Sequence, residues 1–135
     1  MNIQKNELRI GNHLEYYIGE EGVEWDTTKL DWQDLRWCEL DNETFNKSHR
    51  PIDLTVEMFL QSRFKKDKKE YFWIDLQTHR LGLIPTNDGF IPAYVQYPEL
   101  SCEIEQIIHL KRIKYVHELE NLYFVLQGEE INLGL

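Results

Sequence analysis

Residues 115–128 read Tyr115-Val116-His117-Glu118-Leu119-Glu120-Asn121-Leu122-Tyr123-Phe124-Val125-Leu126-Gln127-Gly128, and this stretch decides the fold. Set at 100° intervals, Leu122, Tyr115, Leu126, Leu119, Tyr123, Val116 and Phe124, joined by Ile113, fill an arc of roughly 200°, wider than one ordinary buried stripe. The spacing predicts a long C-terminal helix covered on two sides and ended by Gly128 as its left-handed cap. Val116, Leu119, Tyr123 and Leu126 are its expected core residues. Glu120 falls inside the arc, so its carboxylate must reach a donor or a cation, because an unpaired buried charge is costly. His117 lies at the polar edge, one turn from Glu120 and Asn121. This spacing predicts a structural pairing of His117 with Glu120 that raises the histidine pKa as long as the ring edge stays wet. The segment begins like a zinc-protease helix, but that chemistry needs a second histidine four residues on, where Asn121 stands. No metal ligand set and no cofactor site is expected.

Upstream of the helix the pattern changes from period 3.6 to period 2. Tyr71-Phe72-Trp73-Ile74-Asp75-Leu76 is the densest run of aromatic and β-branched residues and predicts a strand. Residues 81–84 and 90–95 read as further strands around Pro85-Thr86-Asn87-Asp88-Gly89, a turn. Pro92 confines the second of them to an edge, a bulge or a strand start. Residues 102–110 read as a strand followed by a bend. Near the start, residues 8–10 read as a short strand, Gly11-Asn12 as a turn, and residues 14–18 as a longer strand. A turn at residues 19–22 then leads to a returning strand at 23–25. Asp31 is an expected N-cap for a short helix carrying Trp32, Leu35, Trp37, Cys38 and Leu40. Residues 41–51 read as a loop, and Thr55 as the N-cap of a helix over 56–62 with Met58, Phe59 and Phe64 facing inward.

Strands first and helix last predict a single α+β domain over residues 1–135: a mostly antiparallel, aromatic-rich sheet with the C-terminal helix packed on it. The chain has 135 residues, with 41% hydrophobic and 13% aromatic side chains, material enough for a core and against whole-chain disorder. Fifteen basic against 24 acidic residues give a net charge of −9, which makes general nucleic-acid or anionic-membrane binding unlikely. Membrane insertion is not expected, since no apolar run reaches the length of a signal core or a span, and the expected location is cytoplasmic. Cys38 and Cys102 lack a CxxC spacing and read as reduced thiols.

Arg63, Lys65, Lys66, Lys68 and Lys69 form the one basic cluster, next to Tyr71, Phe72 and Trp73. Its ordinary reading is a solvated turn flanking a strand; its functional reading is a phosphate-binding surface with stacking platforms. The backbone requirements of a hydrolase nucleophile elbow, a P-loop and a dinucleotide-binding turn are absent from the sequence, so a small hydrolase is the least favoured class.

Three segments carry a resemblance: Glu7-Leu8-Arg9-Ile10-Gly11-Asn12, Arg50-Pro51-Ile52-Asp53-Leu54-Thr55, and residues 115–124 followed by Gly128-Glu129-Glu130. Together, over about a quarter of the chain, they resemble a family of small uncharacterised proteins of Bacteroides-type bacteria and their phages or mobile elements. That family usually has glutamine where Glu118 and Glu120 stand. The resemblance implies a cytoplasmic bacterial or phage-borne protein and brings no catalytic residues with it. The opening Leu8-Arg9-Ile10-Gly11-Asn12 with its hairpin is also similar to the entry of an SH3-like barrel. The function expected is a non-catalytic binding or adaptor module acting on another protein or on itself. The alternative is nucleic-acid binding through residues 63–73. His117, Glu120, Asn121, Arg63, Lys65, Lys66, Lys68 and Lys69 are the candidate interaction residues.

Overall fold

The computed structural model describes residues 2–20, 23–77, 79–96 and 107–135. The architecture is mixed α+β, with all strands in two antiparallel sheets. Contacts divide the chain into two compact units: residues 1–53 with 115–131 and Leu135, and residues 54–114 with 132–134. Among the described residues no helix is long and apolar enough to cross a membrane.

The first unit contains strands β1 (His13–Glu20) and β2 (Val23–Lys29), helices α1 (Trp32–Leu40) and α2 (Asn42–Ser48), and the short strand β3 (His49–Arg50). Its sheet runs in the order β2-β1-β3. Residues 8–10 are not the expected strand. They form a tight turn in which Asn12 Oδ1 accepts from Arg9 N at 2.6 Å and Gly11 N donates to Leu30 O. Of the turn predicted at 19–22, Gly19 and Glu20 still belong to β1, while Glu21 and Gly22 lie outside the described residues. Asp31 does cap α1, through a reciprocal box with Asp34.

The loop expected after Asp41 is instead a helix, α2. Asp41 accepts from Thr44 N, Phe45 is fully buried, and the amides of Asn42 and Asn46 both donate to Ile3 O. Asparagines that disfavour a helix interior locally are recruited here by a tertiary partner. Ile3, Leu14, Leu30, Cys38 and Phe45 form a packed cluster, and the His49 ring stacks on Phe45 at 3.9 Å. The thiol of Cys38 is free, and burial pushes its pKa up.

The C-terminal helix α4 (Val116–Gln127) completes this unit, ending at Gly128 with φ +74°. Val116, Leu119 and Tyr123 are buried as expected. Leu126 is only half-buried. The far flank of the apolar arc, at Phe124, stays exposed, with the Arg9 guanidinium 4.1 Å from its ring centre.

The second unit begins with α3 (Val56–Leu60), then β4 (Lys65–Lys66), β5 (Phe72–Asp75), β6 (His79–Thr86), β7 (Gly89–Gln96) and β8 (Ile107–His109), ordered β4-β5-β6-β7-β8. Phe59 on α3 meets Phe64, Phe72 and Phe90 at 5.0–5.3 Å between ring centres. This aromatic cluster fills the inner face of the sheet together with Ile74, Leu81 and Leu83. The strand expected over 102–110 is described only from Ile107; Cys102 lies outside the described residues.

Pro92 sits inside β7, an inner strand, where the pairing on the β8 side slips by one residue, three steps from Ala93 to Phe90 against four from His109 to Ile113, so of the expected edge, bulge or strand start it is the bulge that is found. Its carbonyl accepts from Leu110 N, so the nitrogen also faces the β8 side. There the ladder has ended at Ala93↔His109 and resumes only at the Phe90↔Ile113 bridge. The missing N–H falls at this slip, opposite Leu110, whose own N–H still donates to the Pro92 carbonyl. Gly89, at φ +95°, is required by the hairpin into β7, because a Cβ there would lie 2.3 Å from the Ile113 carbonyl oxygen.

Candidate functional site

Period-2 alternation divides the second sheet into two faces. Phe72 and Ile74 point into the aromatic core, so Trp73 and Asp75 must point to the opposite, outer face. The register carries this across the sheet: Trp73 lies opposite Gly82, which lies opposite Ala93, which lies opposite His109. Gly82 is obligatory in this row. A Cβ there would come within 2.5 Å of the Trp73 ring, so the indole lies directly on the Gly82 backbone.

The outer face holds a cleft of about 640 Å3, within the range of small-ligand sites. Its floor is Ile84, Ala93, Val95 and Ile107; Trp73 forms one wall; and Lys68, Lys69, Tyr71, Arg80 and His109 complete the lining. A smaller adjoining depression of about 180 Å3 brings Lys65 and Lys66 beside Asp75 and Arg80.

Asp67 organises the wall. Its Oδ1 accepts from Lys69 N at 2.8 Å and from Tyr71 N at 3.0 Å, while its Oδ2 accepts from Trp73 Nε1 at 2.8 Å. The indole hydrogen bond, followed by the two backbone donors and the nearby Lys69 charge, holds the Asp67 carboxyl below the usual carboxylate range. The turn closes with Glu70 at φ +66°. One carboxylate therefore fixes both the lysine-bearing loop and the aromatic plane. Arg80 is ion-paired to Asp75 at 2.9 Å and lies 5.9 Å from the Trp73 ring centre. Lys66 is paired with Glu70; among the described residues no ion pair engages Lys65, Lys68 or Lys69.

The candidate residues on α4 belong to the other unit and make a different structure. Glu120, 2% exposed, accepts from the His13 backbone N at 2.8 Å and meets His13 Nδ1 at 2.6 Å. Asn121 accepts from Asn12 Nδ2 at 2.8 Å and donates to Glu7 O at 2.8 Å. The partner of Glu120 is thus His13, not His117. His117 is 1% exposed, neither ring nitrogen is hydrogen-bonded, and Nε2 stands 3.7 Å from a Glu7 carboxylate oxygen. Burial outweighs the surrounding carboxylates and pushes its pKa down, opposite to the rise expected for a wet ring edge. Glu120 and Asn121 tie the N-terminal segment to α4, and His117 packs beside Glu7. Among the described residues no group of histidine, cysteine, aspartate and glutamate is arranged to hold a metal ion.

Of the basic residues expected to act together, Lys68 and Lys69 line the main cleft, Lys65 and Lys66 the adjoining depression. Arg63 lines neither of these. Arg80 and His109 were invisible as site residues in the sequence, since only the strand register brings them beside Trp73. No family model, curated protein or solved structure matches the chain.

Proposed function

We propose that this chain is a non-catalytic binding module whose ligand seat is the cleft on the outer face of the β4–β8 sheet. The observation that carries this reading is the combination of an apolar floor, a fixed indole and a rim of lysines in one concavity. Those groups offer stacking, apolar contact and charge pairing. The carboxylate nearest the cleft, Asp67, already accepts three N–H donors, which commits it to holding the wall. The setting that accompanies this reading is a cytoplasmic accessory protein of bacteria and their phages or mobile elements.

The test is a two-dimensional NMR titration of isotope-labelled protein with a panel of nucleoside monophosphates, short oligonucleotides, an acidic peptide and aromatic carboxylates. Shifts confined to the Trp73 indole N–H and the resonances of Ala93, Val95 and Ile107, with the probe chemically unchanged, are expected. No shift with any probe, or shifts centred on α4, refutes the assignment.

A protein partner or a second copy is favoured by a separate observation. Among the described residues strand β8 ends the order of its sheet, and Ile107 and Ile108 are 49% and 54% exposed on it. An apolar edge of this kind accepts a further strand. Light scattering across a concentration series tests self-association: a monomer throughout excludes the second copy.

A further inference from the structure

The charge is unevenly shared between the two units. Residues 1–53, 115–131 and 135 carry six lysines and arginines against sixteen carboxylates, a net of −10, whereas residues 54–114 and 132–134 carry nine against eight, a net of +1. The acidity that argues against phosphate binding for the whole chain is therefore absent from the unit that holds the cleft. Within this unit four lysines fall in five consecutive positions, Lys65-Lys66-Asp67-Lys68-Lys69, and their placement around one wall is fixed by Asp67.

Resting on the reading of the cleft as a binding seat, we propose that it takes single-stranded nucleic acid, with backbone phosphates on the Lys68 and Lys69 rim and beside Arg80, a base against Trp73, and Asp67 as the residue that positions both. Three features point to this ligand class. Cations beside an aromatic plane are the elements of sequence-tolerant single-strand binding, in which the groove tracks phosphates and the rings stack bases. The cleft, about 640 Å3, has room for one or two nucleotides but not for the breadth of a duplex, whose bases are stacked away from a side wall. The Trp73 plane is held from both directions, by the Gly82 backbone under the ring and by Asp67 at Nε1, so it is ordered before a base arrives and little is lost in fixing it.

Asp67 makes the proposal sharp, because a carboxylate beside a phosphate site should weaken binding if charge alone mattered. Asp67→Asn retains an Oδ1 acceptor for Lys69 N and Tyr71 N, but replaces the Trp73 acceptor by an NH2 group, and it raises the net charge by one. A surface that attracts phosphates by charge alone would bind more tightly after this change; a positioned wall binds more weakly.

The experiment is fluorescence anisotropy of the full chain with fluorescein-labelled oligo-dT and oligo-U of ten nucleotides, and with a DNA duplex of equal length, at 50 and 200 mM salt. With three phosphates neutralised, the single strands are expected to bind roughly twenty-fold more weakly at the higher salt. The duplex should bind at least five-fold more weakly than either single strand. Asp67→Asn should weaken single-strand binding at least five-fold, Trp73→Leu should do the same, and Lys68→Gln with Lys69→Gln should flatten the salt dependence. Urea midpoints of the variants identify any loss that is merely unfolding, and the double lysine variant, which removes no packed atom, reads the seat independently of folding. Equal or tighter binding by Asp67→Asn, or a duplex that binds as well as the single strands, overturns the proposal. Absence of oligonucleotide binding at 50 mM salt while another probe, such as the acidic peptide, still shifts the Trp73 indole N–H rejects the ligand class and leaves the seat standing. Silence from every probe removes the seat as well.

Discussion

Replacing Glu120 by alanine and by glutamine separates the two things its carboxylate does. Glu120 is 2% exposed and satisfies two donors of one residue, the His13 backbone N–H at 2.8 Å and the His13 ring at 2.6 Å. In Glu120→Ala the backbone donor, at the start of β1, is left without its acceptor, and the ring loses its partner in a site from which water is largely excluded. Stranding the buried backbone donor costs about 1–3 kcal/mol, and losing a ring hydrogen bond to a carboxylate about 1.5–3 kcal/mol; because both losses fall on the same residue they overlap, and about 3–5 kcal/mol is expected in total. With a urea m-value near 2 kcal/mol/M the midpoint should fall by about 1.5–2.5 M. Glu120→Gln keeps Oε1 for the backbone N–H and meets the His13 ring through its NH2 group once the ring takes the tautomer whose Nδ1 accepts, so its loss should stay near 1 kcal/mol, a midpoint shift of about 0.5 M. A double-mutant cycle with His13→Ala should return a coupling of at least about 1 kcal/mol. A midpoint shift below about 0.5 M for Glu120→Ala, or equal shifts for alanine and glutamine, would refute the account of α4 as clamped through this carboxylate.

Two further outcomes follow from the same unit. Leu119 is fully buried on α4, and Leu119→Ala should cost about 2–5 kcal/mol in chemical denaturation, with an unchanged midpoint contradicting its place in the core. His117 and His49 are both buried with pKa values pushed down, in each case first by desolvation. A depressed histidine pKa means that the unfolded chain takes up protons that the folded one refuses. Stability is therefore complete above the unfolded pKa of about 6.5 and is lost as the pH falls below it toward the folded values. The melting temperature should drop between pH 7 and pH 5.5, and His117→Leu, which removes two nitrogens that make no hydrogen bond, should flatten that drop; a variant with the parent's acid sensitivity would exclude His117 as a contributor.

What the sequence made legible were the elements whose signal is local. The 3.6-residue periodicity and Gly128 located α4, alternation located β5, and Asp31 announced the start of α1. Helix α2 escaped because its stability comes from Ile3, nearly forty residues upstream, which binds Asn42 and Asn46; in isolation those asparagines favour a turn. The mispairing of His117 with Glu120 has the same origin. A helix neighbour three positions away was the nearest candidate in sequence, while the true partner, His13, lies 107 residues away along the chain. For the cleft, the basic and aromatic segment was readable as a candidate, but Arg80 and His109 join it only through a strand register that no single strand specifies. Gly82 carried a signal that went unused: a glycine inside a run of otherwise β-forming residues often marks the close approach of a neighbouring side chain, here the Trp73 ring.

The division of the chain at residues 53 and 115 also sets an order of events during synthesis. Nearly all of the second unit is one continuous stretch, residues 54–114, and its hairpins join neighbours in sequence, so its aromatic core can close once that stretch has left the ribosome. The first unit is made of two pieces separated by this stretch. Its opening hairpin must wait, with the His13 backbone and ring lacking their carboxylate, until α4 has been translated. Residues 1–53 are thus locked only after a later-made stretch has already been able to fold.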